Sequence, residues 1–101
     1  MSKYLPIFRA VIWRAGDWWL CHVLDVDMAT QARTIDAAVD HLRICFAIER
    51  QCDGDLAFTH RRPAPERFWR MYKEQPGERR FFTESDPILE VLICEQEEPE
   101  P

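Results

Sequence analysis

LDVDMATQARTIDAAVDHL, residues 24–42, carries the chain out of an apolar run and into a helix. Leu24 closes WWLCHVL, residues 18–24, whose aromatic and β-branched content reads as a strand. MATQAR, residues 28–33, reads as a short third strand before Thr34 takes the N-cap position, with Asp36 in the first turn where a negative charge suits the helix dipole. From there Ile35, Ala38, Val39, Leu42, Cys45, Phe46 and Ile48 recur at helical spacing, while Asp36, Asp40, Arg43 and Arg50 fall largely on the other face. Asp53-Gly54 marks the end of that helix.

Upstream, YLPIFRAVIWR (residues 4–14) is a first strand in which Phe8, Ala10 and Ile12 alternate with Ile7, Arg9, Val11 and Trp13. Gly16-Asp17 then supplies the turn of a hairpin with residues 18–24. Downstream, LAFTHRRPAP reads as a loop, and Pro65-Glu66 opens a second helix, PERFWRMYKEQ, that stops at Pro76-Gly77. PILEVLICE, residues 87–95, is the last strand, and EQEEPEP reads as a disordered tail. The order β-β-β-α-(α)-β predicts an α+β domain, a small antiparallel sheet with its helices packed on one face. Residues 1–95 form a single domain with the added helix at about 65–75, and residues 96–101 an acidic C-terminal tail.

A chain of 101 residues that is 47% hydrophobic can bury one modest core. No apolar run reaches the roughly 18 residues of a membrane span, and MSKYLPIF lacks the long apolar region of a signal peptide. A cytoplasmic protein that does not enter membranes is the expectation. Cys21, Cys45, Cys52 and Cys94 form no CxxC and match no zinc spacing, so buried free thiols are expected. The net charge of −5 is uneven: residues 60–83 carry seven basic and three acidic side chains, and residues 84–101 carry seven acidic and no basic ones. This balance argues against nonspecific nucleic-acid binding and suits a basic partner.

Catalytic signatures are sparse. Asp25 and Asp27 are two apart and on a strand would share a face. A two-metal nuclease needs further carboxylates converging on ions about 4 Å apart, with Asp36, Asp40 and Glu90 the candidates in pattern, so solvated strand-end acids are the preferred reading. His22 follows Cys21 on a strand and points to the other face, while His41 and His60 join no metal or nucleophile pattern. The three scattered glycines make no phosphate loop. The expectation is therefore no catalytic residue, no metal and no cofactor. HRRPAPERFWRMYKE interleaves arginines with aromatics as single-strand binders do. Its Phe68, Trp69, Met71 and Tyr72 fall in one helical stripe, however, which favours core or protein interface. Trp18, Trp19, Phe68, Trp69, Tyr72, Arg67 and Arg70 are accordingly the candidate partner-interface residues.

Taken together, DWWLCHVLDVDMATQARTIDAAVDHL resembles the HicB-like antitoxin domain of bacterial toxin–antitoxin systems. Trp18 or Trp19 stands for the family's strand-two aromatic and Leu24-Asp25 for its Leu-Asp or Pro-Asp pair. Thr30-Gln31-Ala32 stands for the short third strand, and Thr34-Ile35-Asp36-Ala37-Ala38 for the helix start. The likeness covers about residues 5–50 and 88–95. It implies a degenerate, partial ribonuclease-H-like sheet without nuclease activity that binds and neutralises a small basic RNA-cleaving toxin, often as an oligomer. Ala32 replaces the usual glycine, and segment 60–80 is an addition. The seven residues after Cys94 hold no DNA-binding module, so DNA binding by this chain alone is not expected. The expectation is a non-enzymatic protein-binding domain, as a homodimer or higher homo-oligomer. The alternatives are a stand-alone dimeric scaffold or adaptor without a toxin, and a metal-dependent nuclease or nucleic-acid binder.

Overall fold

A computed structural model of the protein describes residues 7–95. Strands β1 (Ile7–Ala15) and β2 (Trp18–Val23) form a hairpin whose two-residue loop is Gly16-Asp17. Gly16 has φ 62°, a left-handed conformation open to glycine at little cost. Strand β3 (Met28–Ala32) pairs antiparallel with β2, and helix α1 (Ile35–Asp53) follows. The Thr34 hydroxyl accepts the Ala37 N–H at 3.1 Å, and at the other end the Gly54 N–H donates to the Arg50 carbonyl, so both helix ends fall where the sequence predicts. A 3-10 turn (Gly54–Leu56) leads by way of a loop to α2 (Glu66–Glu74), β4 (Gly77–Phe82) and β5 (Ile88–Cys94). The proposed disordered tail, residues 96–101, lies outside the described residues.

The α+β class holds, and three details of the expected architecture are corrected. First, the sheet has five strands in the order β3-β2-β1-β5-β4, and β4 begins at the Pro76-Gly77 helix stop and runs through residues to which the sequence assigns no element. Its GERRFF has little apolar alternation because it is an exposed edge, held by β5 alone. Second, the sheet is mixed: β5 runs parallel to β1, with Ile7 opposite Ile88 and Ile12 opposite Ile93, because α1 and α2 intervene and reverse the chain. Third, the helices lie on opposite faces. Ala10 and Ile12 join Cys21, Val23, Leu89 and Val91 under Ala38, Val39, Leu42 and Phe46 of α1. Val11, Leu24, Leu92 and Cys94 receive Ala64, Phe68 and Tyr72 from the α2 side. The physical reason is the central strand: Ala10, Val11 and Ile12 are all completely buried, and a strand apolar on both sides needs a cover on each.

Between the helices the chain passes around the sheet end that carries the β2–β3 turn. Phe58 packs edge-on against Phe8 and Phe46 with centroids 5.3 and 5.6 Å away, contacts worth about 0.5–1.5 kcal/mol each. Its φ of 71° is unfavourable for a bulky side chain and is held by those rings and by Glu49, which accepts its N–H at 3.1 Å. The Ala64 N–H then donates to the Leu24 carbonyl at 2.7 Å, tying the loop to the strand-two corner. The expectation of buried thiols holds for Cys21 and Cys94 only; Cys45 and Cys52 are exposed on α1, and all four are free. No described helix is long and apolar enough to cross a membrane.

Candidate functional site: a protein-contact surface

Asp25 and Asp27 sit in a turn, not on a strand, and are held by different partners. Asp25 accepts the Arg9 backbone N–H at 2.6 Å and the Arg9 guanidinium at 2.9 Å, and that hydrogen bond raises the guanidinium's pKa. Asp27 adopts φ 52° and lies 2.6 Å from Nε2 of His22, whose ring stacks on Phe68 with centroids 3.8 Å apart. One acid therefore closes the β1–β2 corner, and the other braces a histidine that supports α2.

The candidate interface residues do not form one surface. Phe68 and Tyr72 are buried against the sheet, with Trp13 stacked near Phe68 at 6.1 Å. Trp69 is half-buried with the Arg9 guanidinium 4.7 Å above its ring. Trp18 and Trp19, adjacent on β2, project to opposite faces. Trp19 packs in the α1 core, whereas Trp18 is exposed beneath Arg33 at 4.5 Å. Arg67 covers Phe68, and Arg70 reaches Glu66 only at 3.8 Å. Arg79 lies over the Tyr72 ring and donates to the Tyr72 carbonyl at 2.9 Å. The basic aromatic segment is thus knitted to its own sheet, and its buried rings have no free faces for stacking bases.

Among the described residues, Glu49, Asp53 and His60 bring candidate ligand atoms within 4.8 Å of one another. Glu49 is already engaged on both oxygens. It accepts from Arg61 at 2.9–3.1 Å and from the Phe58 N–H, which together hold its carboxyl below the ordinary range. A cation there would have to displace Arg61. The cluster reads as a clamp joining α1 to the crossing loop.

On the α1 face, α1 covers β2 and β3 and leaves a groove of about 450 Å³ along β4. Val39 and Phe82 give it an apolar floor; Asp36, Asp40, Thr83 and Glu84 rim it. Arg43 bridges the groove to Asp40 and, at 3.2 Å, to Glu84, so two of the three rim carboxylates share one guanidinium. Asp36 and Asp40 are legible in the sequence as an i, i+4 acidic pair. Their partner Glu84 was not assigned to the surface, because it needs β4 in place.

Fold and surface together define a small α+β domain with an apolar-floored groove along β4, rimmed by Asp36, Asp40 and Glu84 and bridged by Arg43. Compared with protein-family models, curated proteins and solved structures, the chain matches none.

Proposed function

We propose that this chain is a non-catalytic protein-binding domain of the HicB-like antitoxin kind, which neutralises a small basic RNA-cleaving toxin by holding it in the groove between α1 and β4. The observation that carries the reading is the groove itself, with carboxylates around an apolar floor. Three carboxylates against the single guanidinium of Arg43 leave an acidic excess around that floor, which steers a basic partner and fixes its register. The order of the elements supports the resemblance. A three-strand meander, a helix and a strand returning parallel beside β1 fit broadly with a partial ribonuclease-H-like sheet. The pairing of Asp25 with Arg9 and of Asp27 with His22 argues against a two-metal nuclease, because each carboxylate already has its own partner.

The test is co-expression with the product of a neighbouring small basic reading frame. A stable complex and restored growth are expected, with both lost in Asp36→Lys/Asp40→Lys while circular dichroism stays unchanged. Absence of a complex overturns the toxin reading. A complex that tolerates the double substitution overturns the groove as the contact.

A further inference from the structure

Glu49 and Asp53 lie one turn apart on the closing turns of α1, an i, i+4 pair on one face of the helix. Gly54, at φ 56°, turns the chain, and the loop returns with Phe58 packed on Phe46 and His60 two residues further on. That return brings ligand atoms of Glu49, Asp53 and His60 within 4.8 Å of one another. Ligands about 2.1 Å from a tetrahedral Zn²⁺ stand about 3.4 Å apart, so each atom needs to move less than about 1 Å to close on an ion. Asp53 and His60 are exposed, and among the described residues neither side chain has a hydrogen-bond partner. Two carboxylates alone would be an ordinary solvated face; the imidazole converging on them adds a transition-metal donor.

Glu49 is the committed member, and the geometry provides for its release. Arg61 holds Oε1 at 2.9 Å through Nη2 and shares Nε between both oxygens at 3.1 Å. The Phe58 N–H donates to Oε2. An ion that takes Oε1 therefore removes the guanidinium and leaves the backbone bond in place. The loop keeps its turn without the guanidinium, because the Thr59 N–H donates to the Leu56 carbonyl at 3.1 Å and the Arg61 N–H to the Phe58 carbonyl at 3.2 Å. Arg61 also has somewhere to go. It lines a pocket of about 280 Å³ with His60, Arg62, Val26 and Asp27, and Asp27 uses only Oδ1 on His22.

We propose that Glu49, Asp53 and His60 are a binding site for Zn²⁺ or a divalent transition ion like it, with the ion and Arg61 as alternative partners of Glu49. One imidazole nitrogen with two carboxylate oxygens favours such an ion over Ca²⁺ or Mg²⁺, which take oxygen ligands throughout. Three protein ligands leave the fourth position to water. With Arg61 in place the clamp is an ion pair. With the ion in place it is a coordinate link from α1 to the crossing loop, which leads on to Ala64 and α2. Neither the β4 groove nor a toxin enters this reasoning.

Isothermal titration of the full chain with Zn²⁺ tests it, in wild type and in Cys45→Ser/Cys52→Ser, which removes the exposed thiols as rival ligands. One ion per chain is expected in both, with micromolar affinity and a higher thermal midpoint that EDTA reverses. His60→Ala and Asp53→Asn, at exposed positions, are each expected to weaken binding at least tenfold with circular dichroism unchanged. Arg61→Gln is expected to bind at least threefold tighter, because the competitor is gone, a gain that a clamp without an ion site does not produce. No binding at high micromolar Zn²⁺ overturns the proposal. Binding that is indifferent to His60→Ala and Asp53→Asn, or that disappears with the two thiols, is an adventitious ion only and overturns it equally. A folded Arg61→Gln that binds no tighter overturns the exchange with Glu49. Should Arg61→Gln fail to fold, the His60 and Asp53 variants decide the matter.

Discussion

Phe68→Ala should separate the α2 anchor from its neighbours. Phe68 is 7% exposed, stacks on His22 at 3.8 Å, lies near Trp13 at 6.1 Å and is covered by Arg67 at 4.6 Å. Truncating a core phenylalanine costs about 3–5 kcal/mol. The lower end applies here, because the α2 layer is thin and its neighbours Trp69 and Met71 are only half-buried. About 3 kcal/mol is a large share of the 5–15 kcal/mol total expected of such a domain, and at roughly 4–8 °C per kcal/mol it lowers the midpoint by on the order of 12–24 °C. Nine residues of helix do not hold without docking, so the amides of α2 should lose hydrogen-exchange protection before those of α1. Trp69→Ala, which removes a half-buried ring and its Arg9 contact, should cost only about 1–2 kcal/mol. Urea unfolding followed by circular dichroism measures both. A Phe68→Ala cost below that of Trp69→Ala would refute the assignment of Phe68 as the anchor.

Glu49→Gln tests the clamp through pH. Arg61 and the Phe58 N–H lower the Glu49 carboxyl in the folded state. Its contribution is therefore present above the unfolded carboxylate pKa and is lost as pH falls through the folded value. The variant should be about 1–2 kcal/mol less stable at pH 7 by urea titration, discounted because Arg61 is a third exposed, and the gap should close as pH falls through the lowered folded value. Gly77→Ala should destabilise the β4 edge by about 1–3 kcal/mol, since an added Cβ would meet the Ile93 carbonyl carbon at 2.9 Å and the Cys94 Cα at 3.1 Å, backbone atoms that cannot rotate away. Gly16→Ala should cost only about 1 kcal/mol, from its left-handed φ with nothing within 4 Å, and thermal melts compare the two. With a thiol-reactive dye, Cys45 and Cys52 should react quickly in the native protein. Cys21 and Cys94, whose pKa values burial pushes up to about 12 and about 11, should react only after unfolding.

The sequence was most legible where periodicity and capping coincide. Thr34, Gly54 and the Ile35–Leu42–Phe46 face mark α1 because a buried helix needs both an apolar stripe and satisfied ends. β4 was not legible, because an exposed edge strand has no buried face to impose alternation, and Pro76-Gly77 before it reads equally well as a helix stop. Sidedness was hidden for a different reason. The α2 stripe shows that Phe68 and Tyr72 are covered but carries no information on which face of the sheet covers them. That answer lay in Ala10-Val11-Ile12, three consecutive apolar residues in a strand otherwise read as alternating. The groove suffered from both omissions, since its β4 wall and its open position beside α1 each depend on one of them. Asp25 and Asp27 read from sequence as solvated strand-end acids, whereas the structure puts both in a turn with partners; those partners were not legible, because Arg9 is sixteen residues from Asp25 and reaches it only once the hairpin is formed.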